Sequence, residues 1–232
     1  MFMYAKLAPV GLHRYFPSMA NDTKSKFSHI YANHVWGGES KSGIGSNVAN
    51  ARPYVERLQP LIDDPEVERV LDLGCGDWTF SQHLDLTSVE YVGIDIVPDL
   101  VNELTERYGA PNIEFVAGNF LDMDLPDADL LICKDVLQHL SREQVDRFIE
   151  RLAQFPRALL TNDQSLHREG GWRRLWQKEP IGTVNIDIQP GEWRPLRLRE
   201  PPYGLEAKLL GTFNVCDQDV TWTKEMLLWQ RA

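Results

Sequence analysis

An apolar strand that runs straight into two closely spaced glycines, with a carboxylate ending the next strand, leaves a chain few folds to choose from. Here Val67–Leu73 (VERVLDL) reads as a buried strand, and Gly74 and Gly76 follow it at once. Glycine at such a strand exit permits a tight turn and lets backbone approach a ligand closely. Glu90–Ile96 (EYVGIDI) reads as the second strand, and Asp95 near its end lies 19 residues after Gly76. A carboxylate there can accept both hydroxyls of a ribose. Each piece alone is weak; together, in strand context, they mark a nucleoside site.

The rest of the chain supplies the sheet around that turn. Asn112–Gly118, Ala128–Cys133 and Ala158–Asn162 read as three more strands. Between them lie a helix predicted over Trp78–Leu84, one from Pro98 to about Tyr108, and one begun by a capping box at Ser141 and Gln144. Val145, Phe148, Ile149 and Leu152 line one face of the last. Ahead of the first strand, Val48, Ala51, Val55 and Leu58 give Asn47–Ile62 a helical stripe, with Pro65 beyond its end. Strands alternating with helices of this length predict an α/β fold with a doubly wound, mostly parallel sheet. Two late strands, near Ala207–Val215 and Thr221–Gln230, are close enough to pair as an antiparallel hairpin. The expected organisation is a leader over 1–46, then a single domain over 47–232 with an insertion at about 164–203.

The nucleoside is not a good match to a dinucleotide. That fingerprint wants a third glycine at position 79, where Thr79 stands, and Asp77 would meet a pyrophosphate with negative charge. The absence of a Tyr-x-x-x-Lys pair near strand five also weighs against a nicotinamide-dependent oxidoreductase, the main alternative from another class. A non-catalytic binding module is the third reading, and the intact Gly74, Gly76 and Asp95 weigh against it. A carboxylate at 77 is acceptable to a sulfonium carrying an amino-acid tail.

With those residues in hand, the chain resembles the class I S-adenosylmethionine-dependent methyltransferases. Val70–Trp78, Tyr91–Val97, Gly118–Asp122 and Asp129–His139 look like their successive motifs, and the resemblance covers roughly residues 67–163. It implies a Rossmann-like, seven-stranded sheet with helices on both faces and its last strand antiparallel. It implies S-adenosyl-L-methionine as cofactor, held by Asp72, Gly74, Cys75, Gly76, Asp95, Ile96, Asn119, Phe120 and Lys134. Gly74, Cys75 and Gly76 would pack around the methionine moiety, Asp95 would take the ribose, and Asn119 and Phe120 would flank the adenine. Outside this core, WGGESKSGIGS and GEWRPLRLREPPYGL resemble a bacterial subgroup of small methyltransferases, many grouped with surface-polysaccharide or secondary-metabolite genes.

Methyl transfer to a hydroxyl needs alignment and removal of a proton. His139, after the fourth strand, is the candidate base. Asp135 sits four residues earlier, where a shared helical face would let it orient the ring, and Asp163 ends the fifth strand at the same crevice. A histidine at this place also commonly only packs or caps. Asp122 could reach the adenine amino group or simply cap a turn, and Asn162 could belong to a turn. Asp135, His139 and Asp163 could converge on a metal, but nothing in their spacing demands one. His34, Trp36, Glu39 and Ser40, among Gly37, Gly38, Gly43 and Gly45, could form a mobile lid or an ordinary leader.

Charge and composition narrow the partners. Among 232 residues the formal net charge is -10 and the pI about 5.1, which disfavours phosphate backbones. The small cluster of Trp172, Arg173, Arg174, Trp176 and Lys178 reads as a helix face or as core or dimer contacts. A small-molecule acceptor is expected, such as a sugar or a glycan or secondary-metabolite precursor, with no nucleic acid and no membrane; a homodimer is allowed. Cys75, Cys133 and Cys216 are odd in number and widely spaced, as in a reduced, cytoplasmic protein. Met19 reads as a second start, which would make residues 1–18 a loosely held extension.

Overall fold

A computed structural model describes residues 23–168 and 180–231. The extension over 1–18 and the Trp172–Lys178 cluster lie outside the described residues.

One twisted sheet organises the chain. Its strands are β1 (Arg69–Leu73), β2 (Glu90–Asp95), β3 (Ile113–Ala117), β4 (Leu130–Lys134), β5 (Arg157–Arg168), β6 (Pro180–Ile181), β7 (Lys208–Asp217) and β8 (Val220–Gln230). The order is β3-β2-β1-β4-β5-β8-β7, and the two-residue β6 pairs off this path onto β5. Neighbours from β3 to β5 are parallel. β8 is antiparallel to both β5 and β7. The expected seven strands are therefore present with the last one reversed, and that strand is wedged inside the sheet. β4 is buried along its whole length, as befits a parallel strand covered on both faces.

The helices are α1 (Thr23–Ala32), α2 (Val48–Ile62), α3 (Pro98–Tyr108) and α4 (Arg142–Leu152). The capping box that starts α4 is formed: the Ser141 hydroxyl accepts from the Gln144 amide, and the Gln144 side chain takes the Ser141 N–H. Val145, Phe148 and Leu152 face inward from it.

Three segments differ from expectation. Trp78–Leu84 is no α-helix; only Ser81–His83 closes into a 3₁₀ turn. Trp78 adopts φ 59° and is buried among Tyr91, Tyr108 and Phe115, so packing of one large ring overrides local helix preference. The leader, which shows no sustained period, contains α1, held by burial of Phe27 and Ile30. β5 runs six residues past Asn162 because β8 pairs with it as far as Arg168.

The segment after β6 folds back over the C-terminal ends of the strands. Its Gly191, Arg194 and Leu196 amides donate to the carbonyls of His139, Gln138 and Asp163. Leu196 and Leu198 are buried there.

Candidate functional site

The C-terminal ends of β1, β2 and β4 open onto a crevice. Its floor is the turn after β1. Gly74 has φ 74°, and a Cβ there would come within 2.4 Å of a Val136 methyl, so no other residue fits without displacing the β4 exit. Gly74 and Cys75 both donate to the Ile94 carbonyl, which ties the turn to β2.

Asp95 ends β2 on the crevice wall. One oxygen accepts from the Gly76 amide at 3.1 Å and the other from the Val97 amide at 3.1 Å. Burial nevertheless pushes its carboxyl up to about 6. Asp72 lies deeper. It accepts from the Tyr91 hydroxyl at 2.7 Å, which in turn accepts from the Trp78 indole, and burial raises it to about 7. Two buried carboxylates short of counter-charge make this wall receptive to a cation or to hydroxyl donors. Ile96, Asn119 and Phe120 line the same crevice. The Asn119 amide is held by Asp122, whose other oxygen pairs with Arg147 at 2.7 Å. Asp122 is thus engaged in its own turn and in an ion pair with α4.

The leader covers the crevice. Ser40 donates to both oxygens of Asp77 at 2.9 Å, the Lys41 amide donates to it at 2.6 Å, and the Asp77 amide donates back to Ser42. Tyr31 of α1 reaches Ser42 at 2.9 Å. Asp77, whose negative charge argues against a pyrophosphate, is therefore the anchor of this segment. Of the four residues picked for a lid, Trp36 and Ser40 take part, whereas His34 and Glu39 do not line the crevice.

Trp36 stacks on His139, with ring centroids 4.9 Å apart and planes 28° from parallel. His139 ends a 3₁₀ turn, Leu137–His139. Its Nδ1 lies 2.8 Å from the Glu192 carbonyl. A carbonyl only accepts, so Nδ1 carries the proton and Nε2 is the acceptor, with the Gln138 amide nitrogen 3.4 Å away. Burial lowers the imidazole to about 4, so it is neutral at physiological pH. Asp135 does not share a helical face with it. Asp135 sits in the turn before, at φ 60°, and its carboxylate goes elsewhere.

That destination is a buried charge cluster with no counterpart in the sequence reading. Asp135 meets Lys134 Nζ at 2.6 Å and Lys224 Nζ at 2.7 Å. Lys224, from β8, also lies 2.7 Å from Asp163, whose second oxygen accepts from the Trp193 indole at 2.7 Å. Lys134 donates to the Gly45 carbonyl at 3.0 Å and lies over the rings of Phe80 and Tyr54. Burial alone would raise Asp135, but the two lysines hold it well below the usual carboxylate range. Asp163, with one lysine, is pushed up by burial. Of the pair, only Asp135 lines the crevice. Lys224 could not be found by motif: it is one lysine in a C-terminal strand, and only the wedging of β8 beside β5 brings it there. Among the described residues no group of three or more metal-ligating side chains is gathered in metal-binding geometry.

The comparisons with known proteins agree with this layout. Residues 70–157 match the family of methyltransferase domains. A solved N-methyltransferase NodS from Bradyrhizobium japonicum, in complex with S-adenosyl-L-homocysteine, shares the fold. Its TM-score is 0.57 and identity 14%, with 88% of this chain and 98% of that one covered. Among curated proteins, the chain is similar to the fatty-acid O-methyltransferase of Mycolicibacterium smegmatis, 27% identical over 139 residues. It is also similar to the ribosomal RNA small subunit methyltransferase A of Methanosarcina mazei, 28% identical over 80 residues. The alignments cover 55% and 34% of this chain, but only 51% and 30% of those relatives. The crevice has a glycine floor and two buried carboxylates on its wall, Asp72 and Asp95, which are compatible with the kind of ligand bound in the NodS structure. No helix among the described residues is long and apolar enough to cross a membrane.

Proposed function

We propose that the chain transfers a methyl group from S-adenosylmethionine to an oxygen of a small-molecule acceptor, and that His139 acts on the acceptor. The observation that carries this reading is the neutral imidazole on the crevice wall, its Nδ1 proton fixed by the Glu192 carbonyl and its face covered by Trp36. The bound cofactor supplies a methyl carbon activated by its sulfonium. Asp95 accepts the ribose hydroxyls, Asp72 faces the positive charge, Gly74, Cys75 and Gly76 surround the amino-acid tail, and Ile96, Asn119 and Phe120 flank the base. Lys134 lies beside the tail. His139 Nε2, in place of its 3.4 Å contact with the Gln138 amide, accepts the hydrogen bond of the acceptor hydroxyl, orients its oxygen for in-line attack and takes up its proton as the methyl is transferred.

An imidazole lowered to about 4 is a weak base, so orientation outweighs proton removal in its contribution. Asp135 and Asp163 act through the cluster they share with Lys224. Segment 34–46 closes over the cofactor as a lid. The acidic net charge and the aromatic rim favour a compact, uncharged or weakly acidic acceptor, such as a sugar or secondary-metabolite precursor, over a nucleic acid.

The test is transfer of labelled methyl from S-adenosylmethionine to a panel of sugars, phenols and fatty acids, with RNA as comparator. Label appearing as an ether or ester of a small molecule supports the reading; label confined to RNA or to amine nitrogens overturns it.

A further inference from the structure

We propose that Lys224 is a positioning residue that seats the leader turn on the crevice. Three observations meet at it. Its Nζ lies 2.7 Å from both Asp135 and Asp163, so a single ammonium on β8 ties the exit of β4 to the middle of β5. Asp135, the residue it grips, carries a left-handed backbone at φ 60°, a conformation that persists only where surroundings impose it. The leader rests on this same point. Gly45, in the 3₁₀ turn Ile44–Ser46, is so close that a Cβ on it would stand 3.0 Å from the Asp135 carboxylate and 3.4 Å from Lys224 Nζ.

The contacts form a chain with a direction. Lys224 takes one oxygen of Asp135 and leaves the other for Lys134, whose ammonium then reaches the Gly45 carbonyl. Without Lys224 the Asp135 carboxylate loses half its support and is free to swing, Lys134 follows it, and the Gly45 carbonyl is released. The leader is also latched at Asp77, so the effect is confined to the part of the leader that lies over the β4 exit. Lys134, Asp163 and Lys224 are buried and Asp135 is partly buried, where screening by salt is weak.

Amide hydrogen exchange of the free protein tests this without reference to the reaction. Lys224→Met alone leaves two buried carboxylates facing one lysine and can fail to fold. The informative variant is therefore Lys224→Met with Asp163→Asn, which keeps the cluster neutral, compared with Asp163→Asn alone. The double variant should exchange amides 43–47 at least about tenfold faster than the single one, with β1, β2 and β4 unchanged. Lys224→Arg should restore protection. Equal exchange of 43–47 in the two variants overturns the proposal. So does a loss of protection spread evenly over leader and strands, which would make Lys224 a plain stabilising ion pair. Binding of S-adenosyl-L-homocysteine by the wild type is measured alongside: its absence would sink the assigned function and leave this inference standing on exchange alone.

Discussion

Replacing Asp95, the proposed ribose ligand, by Asn separates its charge from its shape. The carboxylate accepts from the Gly76 and Val97 amides at 3.1 Å each, and an asparagine oxygen can retain only part of that while its amide group points a donor at another donor. A charge-assisted bond is worth about 1.5–3 kcal/mol against about 0.5–1.5 for a neutral one. Asp95→Asn should therefore weaken S-adenosyl-L-homocysteine by about 1–2 kcal/mol, or roughly 5–30-fold. The pH dependence is a second signature. With its carboxyl raised to about 6 by burial, Asp95 is mostly protonated at pH 5. One unit below that value about one molecule in eleven is ionised, so wild-type affinity should drop about tenfold between pH 7.5 and pH 5. The sign follows from the raised value: the free protein holds a proton there that binding expels. Titration calorimetry in two buffers of different ionisation enthalpy reads affinity and proton release together. Asp95→Asn should flatten the part of the profile centred near 6, leaving that of Asp72, raised to about 7. If Asp95→Asn binds within twofold of wild type with an unchanged profile, Asp95 does not hold the ribose.

His139→Ala should lower turnover by up to roughly 10²-fold, the low end for acid–base and orienting groups, with cofactor affinity little changed. Because burial lowers His139 to about 4, the wild-type rate at saturating cofactor should be level across neutral pH and fall only as the imidazole protonates near that value; under saturation a midpoint near 6.5 would contradict the buried geometry. The same depression makes this histidine stabilise the fold above the ordinary imidazole value and cease to do so as pH drops through about 4, which an acid melting series on wild type and His139→Ala would resolve. Gly74→Ala meets both a left-handed φ and a Val136 methyl at 2.4 Å. About 1–2 kcal/mol of backbone strain would lower Tm by roughly 2–8 °C, along with cofactor affinity; an unchanged melting curve and affinity would show that the turn relaxes freely.

Much of the fold could be read from residue order. Periodicity and punctuation placed β1 to β4, α2, α3 and the α4 capping box, because each is decided by neighbours within a turn or a strand. The crevice wall was equally legible, since Gly74, Gly76 and Asp95 belong to adjacent strand exits and line one crevice. What escaped was long-range. Trp78 breaks a local helix because three rings from distant segments enclose it. Asp135 looked like an orienting partner for His139 on spacing alone, but two lysines, one of them 89 residues away, claim its carboxylate. Asp77 revealed its charge but not its partners, because serines 35 and 37 positions earlier had to be folded back to meet it.

The position of β8 has a bearing on how the molecule is assembled. β7 precedes β8 in the chain yet touches the sheet only through it, so β7 has no edge to join until its successor has arrived. β8 must reach β5 before β7 can add to the sheet, and until then β5 offers a long, unpaired strand edge of the kind that invites wrong partners. The same docking step delivers Lys224 between Asp135 and Asp163. Completion of the sheet and pairing of Asp135 and Asp163 with Lys224 thus depend on the same strand, and a nascent chain that has not reached β8 has neither.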